Sequence, residues 1–72
     1  DVLDQIAANT VTNINWFFRL NPRQLASVET DLRRELSILN EILRIAKQHN
    51  SKLVEKYQES FDNFRMAYSP NR

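Results

Sequence analysis

Residues 20–25 read Leu-Asn-Pro-Arg-Gln-Leu, and this stretch carries several independent signals for the start of a helix. The Asn21 side chain can accept from the free N–H groups of a first helical turn, and Pro22 suits the first helical position because no donor is needed there. Gln24 stands where a capping-box partner reaches back, and the two flanking leucines can form a hydrophobic staple. We therefore expect the chain to turn at Asn21 and a helix to begin at Pro22.

Upstream of this turn, apolar residues recur at spacings of three and four, which is the pitch of an α-helix. The pattern predicts a first helix over residues 2–20, with short polar side chains at Asn9, Thr10 and Asn13 that lower its intrinsic propensity. We expect this helix to depend on packing against the rest of the chain. The members of its apolar stripe are Leu3, Ile6, Ala7, Val11, Ile14, Phe17 and Phe18.

Downstream of the turn, a second apolar stripe keeps the same phase from residue 25 to residue 68. Asn50 is its one polar member, and the segment His-Asn-Ser around it is suited to a helix end, because Asn tolerates the left-handed conformation and Ser51 can cap a new helix. The sequence thus predicts helices over residues 22–48 and 51–68. The stripe comprises Leu25, Val28, Leu32, Leu36, Leu39, Leu43, Ala46, Asn50, Leu53, Tyr57, Phe61, Phe64 and Tyr68.

These elements predict an all-α fold, a small three-helix bundle that forms a single domain over residues 1–72. The unbroken phase leaves one alternative open, a short helix followed by one long helix of an oligomeric coiled coil with Asn50 as a buried, register-fixing residue. We favour the bundle, because helices of globular proteins typically run to about 20 residues. The end of order is expected near Pro70.

Composition argues against several classes of function. The chain of 72 residues contains no glycine and no cysteine, so it lacks glycine-rich phosphate loops and disulfides. Its single histidine, His49, has no thiol beside it and no acidic cluster around it that resembles a metal site or a catalytic triad. We therefore expect no enzyme activity, no cofactor and no bound metal.

Charge and hydropathy narrow the range of partners. The net charge is +1 and the basic residues are spread along the chain, so no footprint for nucleic acid is expected. No apolar run is long enough for a bilayer, so we expect no membrane partner. The absence of a signal peptide and of cysteine favours a cytoplasmic or nuclear location. Because the chain begins with Asp1 rather than Met, we expect it to be a piece of a larger protein.

Two features of the helices are candidate contact surfaces. Trp16 falls outside the apolar stripe of the first predicted helix. It either packs at the edge of the bundle against the second or third helix, which we favour, or anchors a partner, since tryptophan is enriched among interface hot spots. Ile38, Ile42 and Ile45 form a second stripe on the second predicted helix, a quarter turn from the main one. This stripe either widens the face that contacts neighbouring helices or forms an exposed ridge for a partner's amphipathic helix or a second copy.

The same helix carries charged pairs at helical spacing, which usually mark a solvated face. Within it the doublet Arg33 and Arg34 is a further candidate contact for a charged partner. We therefore predict a helical protein-interaction module of the adaptor, docking, scaffold or assembly type. It would bind another protein through a helical surface, or a second copy of itself. The alternative is a homo-oligomerisation or coiled-coil element in which residues 25–68 form the seam.

Overall fold

The computed structural model describes residues 2–67, and in this range the chain forms four helices and no strand. The helices are α1 (Val2–Phe17), α2 (Pro22–Ser27), α3 (Glu29–His49) and α4 (Ser51–Ala67). The long helices α1, α3 and α4 pack on one another, and the short α2 packs on α3. This is the predicted three-helix bundle, with one short helix added at the first connection.

The start of α2 confirms the predicted turn. Asn21 Oδ1 accepts a hydrogen bond from the backbone N–H of Gln24 at 2.8 Å, and Gln24 Oε1 accepts from the backbone N–H of Asn21 at 3.4 Å. Both halves of a capping box are therefore present, and Pro22 occupies the first helical position. Asn21 itself is extended (φ −72°, ψ 163°), so the chain leaves the direction of α1 there.

The first helix ends earlier than the predicted residue 20. The backbone N–H of Arg19 donates to the carbonyl of Trp16, and that of Leu20 donates to the carbonyl of Phe17, both at 3.1 Å. These bonds span three residues rather than four, so the last turn is tightened and the regular helix stops at Phe17. The prolyl residue that follows Asn21 also disfavours a helical conformation at that position.

The prediction of one helix over residues 22–48 is wrong at Val28, which separates α2 from α3 (φ −116°, ψ 18°). Its N–H donates to the carbonyl of Leu25, three residues back, at 3.1 Å. One residue earlier, the hydroxyl of Ser27 donates to the carbonyl of Gln24 at 2.7 Å. A hydroxyl bond of this kind competes with the regular backbone ladder, which accounts for a break here. The bend lets both Leu25 and Val28 pack against the core.

The link between α3 and α4 is the single residue Asn50. The helices on either side of it lie against each other, so the chain reverses direction and the alternative of one continuous helix is wrong. The expected left-handed conformation is also wrong: Asn50 has φ −158° and ψ 80°, and none of residues 2–67 has a positive φ. An extended residue is sufficient to break the helix, and the α4 ladder resumes with a bond from Leu53 N–H to the Asn50 carbonyl at 3.0 Å.

Both predicted stripes supply the hydrophobic core, which lies between the three long helices. Ile6 is an exception, since it was expected in the core stripe of α1 and is exposed instead. Tyr68, the last member of the predicted stripe, and Pro70, near which the end of order is expected, lie outside the described residues. The buried apolar residues are Ala7, Ile14, Phe17, Leu32, Leu39, Ile42, Leu43, Ala46, Leu53, Tyr57, Phe61 and Phe64.

Two contacts between α1 and α4 fix the relative directions of the helices. Near its start, α1 contacts α4 through a hydrogen bond between Asp4 and Tyr57. Beyond its end, the ring of Phe18 stacks on that of Phe64, with ring centroids 5.9 Å apart. Both helices therefore run the same way. Because α3 and α4 form a hairpin, α1 and α3 run antiparallel.

Candidate functional site

Six large apolar side chains of the described residues remain exposed, and five of these belong to α1 and α3. Trp16 is the largest, with 56% of its surface accessible. Isolated apolar residues on a surface are ordinary, whereas a contiguous group of them marks a binding surface. The five are Val2, Ile6, Trp16, Ile38 and Ile45.

Helical spacing places these side chains on two stripes. The α1 stripe runs from Val2 to Trp16, and its successive members are four, three, four and three residues apart. Residues at this spacing lie on the same face of a helix. The same alternation of steps occurs on α3. The α1 stripe consists of Val2, Ile6, Asn9, Asn13 and Trp16, and the α3 stripe consists of Asp31, Glu35, Ile38, Ile42 and Ile45.

Two observations bring the stripes together. Asn13 Nδ2 donates a hydrogen bond to Glu35 Oε1 at 3.2 Å, and Trp16 lines the same cleft as Asp31. Since α1 and α3 run antiparallel, the register set by these contacts places Ile6 opposite Ile42 at the far end. We call the two stripes together the α1–α3 edge. It has a mixed polar and aromatic end at Trp16 and an aliphatic end near Val2.

The polar end of the α1–α3 edge contains an open cleft of about 290 Å³. Trp16 forms part of its wall, and its ring meets the ring of Phe17 edge-on, with centroids 5.4 Å apart and planes inclined by 69°. Phe17 is buried, so the exposed indole contacts the core at one edge. The cleft is lined by Asn13, Trp16, Phe17, Asp31, Arg34 and Glu35.

The cleft carries two carboxylates and one guanidinium group. Asp31 and Arg34 form an ion pair with a separation of 3.7 Å, and both side chains are largely exposed. Glu35 is half-buried, accepts its hydrogen bond from the neutral Asn13, and forms no ion pair with any described residue. The formal charge of the lining residues is therefore −1, and the charge of Glu35 is the one that no neighbouring cation balances.

Each of the two arrangements expected for the isoleucine stripe holds for part of it. Ile38 and Ile45 are exposed, at 37% and 41% of their surfaces, but Ile42 is buried at 5%. An exposed ridge of all three isoleucines is therefore wrong at Ile42. Ile42 lies between Ile38 and Ile45 on the α3 stripe and belongs to the hydrophobic core, so it forms the floor of the α1–α3 edge.

The arginine doublet is divided between two surfaces. Arg34 lines the cleft beside Trp16, whereas Arg33 does not and instead forms an ion pair with Glu29 at 3.0 Å, one turn back along α3. Consecutive helical residues point about 100° apart, which explains the separation. Only Arg34 lies beside the other candidate residues.

Several members of the α1–α3 edge were missed by the sequence reasoning. Ile6 was expected in the core. Val2, Asp31 and Glu35 were not among the candidate contact residues. The spacing that aligns Ile6 with Trp16 was present in the sequence. The antiparallel pairing of α1 with α3 was not, and it is this pairing that joins the two stripes.

The described part of the chain shows neither a metal-binding cluster nor a membrane-spanning helix. Residues 2–67 contain no group of three or more His, Cys, Asp or Glu side chains arranged to hold a metal ion. None of the four helices combines the length and the apolar character needed to cross a bilayer. Comparison of the chain with protein-family models, curated proteins and solved structures gives no significant match.

Proposed function

We propose that this chain is a protein-interaction module whose α1–α3 edge binds an amphipathic helix of another protein. The observation that carries the proposal is the alignment of exposed apolar side chains along this single edge, with Trp16 at one end and Ile45 at the other. The remaining exposed large apolar residue of the described chain, Met66, is on α4, away from this alignment. Roles of the adaptor, docking or assembly type follow from such a surface.

The dimensions of the α1–α3 edge suit a helical ligand. Val2 and Trp16 are separated by four steps of the stripe, which at 1.5 Å per residue corresponds to about 21 Å, or about four turns of helix. A partner helix of that length, with apolar residues at spacings of three and four, could lie between Ile38 and Ile45 on one side and the exposed face of α1 on the other. This is the helix-in-groove mode of recognition.

Burial supplies the driving force for this binding. Removing apolar surface from water contributes roughly 25 cal/mol per Å², and aromatic anchors supply the largest single areas. Trp16 is exposed yet held edge-on against the buried Phe17, so little conformational freedom would be lost when a partner covers it. These properties are typical of an interface hot spot.

Self-association through the stripe of residues 25–68 is the weaker alternative. Leu32, Leu39, Phe61 and Phe64 are members of that stripe and are buried inside the bundle. They cannot join a second copy unless the bundle opens. A contact between copies would therefore have to use another surface of the bundle, and the crosslinking experiment distinguishes this case from the binding of a different protein.

Site-specific photocrosslinking in cells that express the chain tests the proposal. A benzophenone amino acid replaces Trp16 in one variant and Ile38 in another, and Met66 is replaced in a matched control. Met66 is also an exposed apolar residue but is located on α4. We expect the same protein to be crosslinked from both positions of the α1–α3 edge and not from position 66.

The mass of the adducts decides the outcome. An adduct with a different protein, obtained from both edge positions and lost when Ile45→Asp places a charge on the edge, supports the proposal. Equal adducts from position 66, or none from the edge, would overturn it. An adduct with twice the mass of the chain itself would overturn it in favour of self-association.

A further inference from the structure

We infer that the partner helix carries a lysine or arginine side chain that enters the cleft beside Trp16. This inference rests on the proposed function, since it specifies the chemistry of the same partner. It comes from the charges of the cleft rather than from its apolar residues. A helix with this feature would be apolar along one stripe and basic at the end that meets Trp16.

Glu35 provides the first part of the evidence. Its carboxylate is half-buried and has a neutral hydrogen-bond donor, Asn13, but no cation among residues 2–67. The other carboxylates of α3 differ in this respect, since Glu29, Asp31 and Glu41 each form an ion pair with an arginine. Partial burial weakens the screening of a charge by water, so Glu35 attracts a cation more strongly than a fully solvated carboxylate does.

Trp16 provides the second part of the evidence. Its indole faces the same cleft, and a cation over the face of an indole is stabilised by the ring quadrupole. The described chain places Lys56 over the ring of Tyr57 and Arg65 over the ring of Phe61, but records no cation over Trp16. A cleft walled by an indole and two carboxylates therefore suits an incoming ammonium or guanidinium group.

Arg34 does not supply the cation that Glu35 lacks. Arg34 pairs with Asp31 at 3.7 Å, which is longer than a hydrogen bond, and both side chains are largely exposed. Arg34 balances the negative charge of Asp31, and the negative charge of Glu35 remains unbalanced. An incoming cation can approach Glu35 while this exposed pair stays in place or moves aside at little cost.

Charge also distinguishes another protein from a second copy as the occupant. Neither stripe of the α1–α3 edge contains a lysine or arginine. Two such edges packed against each other would bring no stripe cation to Glu35, and the Arg34 of a second copy is already paired with Asp31. A helix from another protein can carry the basic residue that this edge lacks, so the charge complementarity favours a different chain.

A displayed library of 18-residue helices tests the inference directly. All members carry a fixed apolar stripe at spacings of three and four, and the positions flanking the stripe are randomised. The library is selected on the folded 72-residue chain, and Trp16→Ala is used for counter-selection. We expect the recovered helices to be enriched in lysine or arginine at one end of the stripe only.

A double-mutant cycle then tests which carboxylate contacts that basic residue. The recovered helix is compared with its Lys→norleucine form, on the wild-type chain and on Glu35→Gln, which keeps the shape of the side chain and its ability to accept from Asn13. We expect the neutral helix to bind the wild-type chain about twofold to fivefold more weakly, and this difference to disappear on Glu35→Gln. Glu59→Gln, an exposed position on α4, is the matched control and should preserve the difference.

The results separate failure of the inference from failure of the proposed function. Helices that depend on Trp16 but show no basic enrichment, or no coupling to Glu35, would overturn the inference and leave the binding edge intact. Recovery of no helix that depends on Trp16 would overturn both. Enrichment of acidic residues at the same end would overturn the inference and point to Arg34 as the contact.

Discussion

Tyr57 of α4 donates a hydrogen bond through its hydroxyl to Oδ1 of Asp4 in α1, with the two oxygens 2.5 Å apart. Lys56 Nζ lies 3.2 Å from each carboxylate oxygen of the same aspartate. These contacts attach the start of α1 to a helix 53 residues away in sequence. They hold the segment that carries Val2 and Ile6, so the aliphatic end of the α1–α3 edge depends on them.

Replacement of Asp4 should therefore give a stability loss that depends on pH. The hydrogen bond from Tyr57, followed by that from Lys56, lowers the pKa of Asp4 below its ordinary value. A lowered pKa in the folded state means that the stabilisation is fully present above the unfolded pKa of about 3.9 and is lost as the pH falls through the folded value. We expect Asp4→Asn to unfold at a lower temperature than the wild type at pH 7.

Thermal unfolding followed by circular dichroism between pH 2 and pH 7 measures this effect. The difference in unfolding temperature between the wild type and Asp4→Asn should disappear towards pH 2, because the wild-type carboxyl is then protonated and uncharged, like the Asn side chain. Asp62→Asn, on the exposed face of α4, controls for the loss of one negative charge. A gap that stays constant over the whole pH range would show that Asp4 does not act through its charge.

The core and the α1–α3 edge should respond differently to the loss of side-chain volume. Leu39 is fully buried, so Leu39→Ala should lower the free energy of unfolding by about 2–5 kcal/mol. Ile45 is 41% exposed, so we expect Ile45→Ala to have a clearly smaller effect. Urea unfolding of the two variants measures both values. Similar losses at both positions would mean that Ile45 contributes to the core of the bundle and is not available to a partner.

The capping box at the start of α2 should make a measurable contribution to stability. Asn21→Ala removes the side-chain acceptor of the Gln24 N–H, and the loss of such a cap typically costs about 1 kcal/mol. Asn63→Ala, at an exposed position within α4, is the matched control. It should leave stability unchanged or raise it slightly, because alanine has the higher helix propensity. Chemical denaturation gives both numbers, and equal effects of the two substitutions would argue against the cap.

Local signals in the sequence predicted much of the fold. Asn21, Pro22 and Gln24 specified a helix start because capping depends on residues that are neighbours in the chain. The break at Asn50 was predicted for the same reason, although its conformation was not. The break at Val28 was missed, because the apolar stripe keeps its phase on both sides of that residue. The sequence pattern gives no sign that the hydroxyl of Ser27 bonds to the Gln24 carbonyl and competes with the helix.

The candidate site was predictable only in part. The position of Trp16 off the apolar stripe indicated that it lies outside the core, since helical geometry determines which face a residue occupies. It left open whether Trp16 packs against a neighbouring helix, the arrangement that the sequence favoured, or stays exposed, as the structure has it. Burial of Ile42 and exposure of Ile6 depend on how α1 lies against α3, which no local pattern specifies. The grouping of Glu35 with Trp16 likewise depends on that tertiary arrangement.

Residue-resolved mapping of the bound surface tests most directly whether the α1–α3 edge is the site of interaction. Amide chemical shifts of the isotope-labelled chain are recorded while a helix selected as described above is added. We expect the largest changes along both stripes, at Ile6, Asn13 and Trp16 on α1 and at Glu35 and Ile45 on α3. Changes centred instead on the outer face of α4, or distributed evenly over the bundle, would contradict the assignment of this edge as the binding surface.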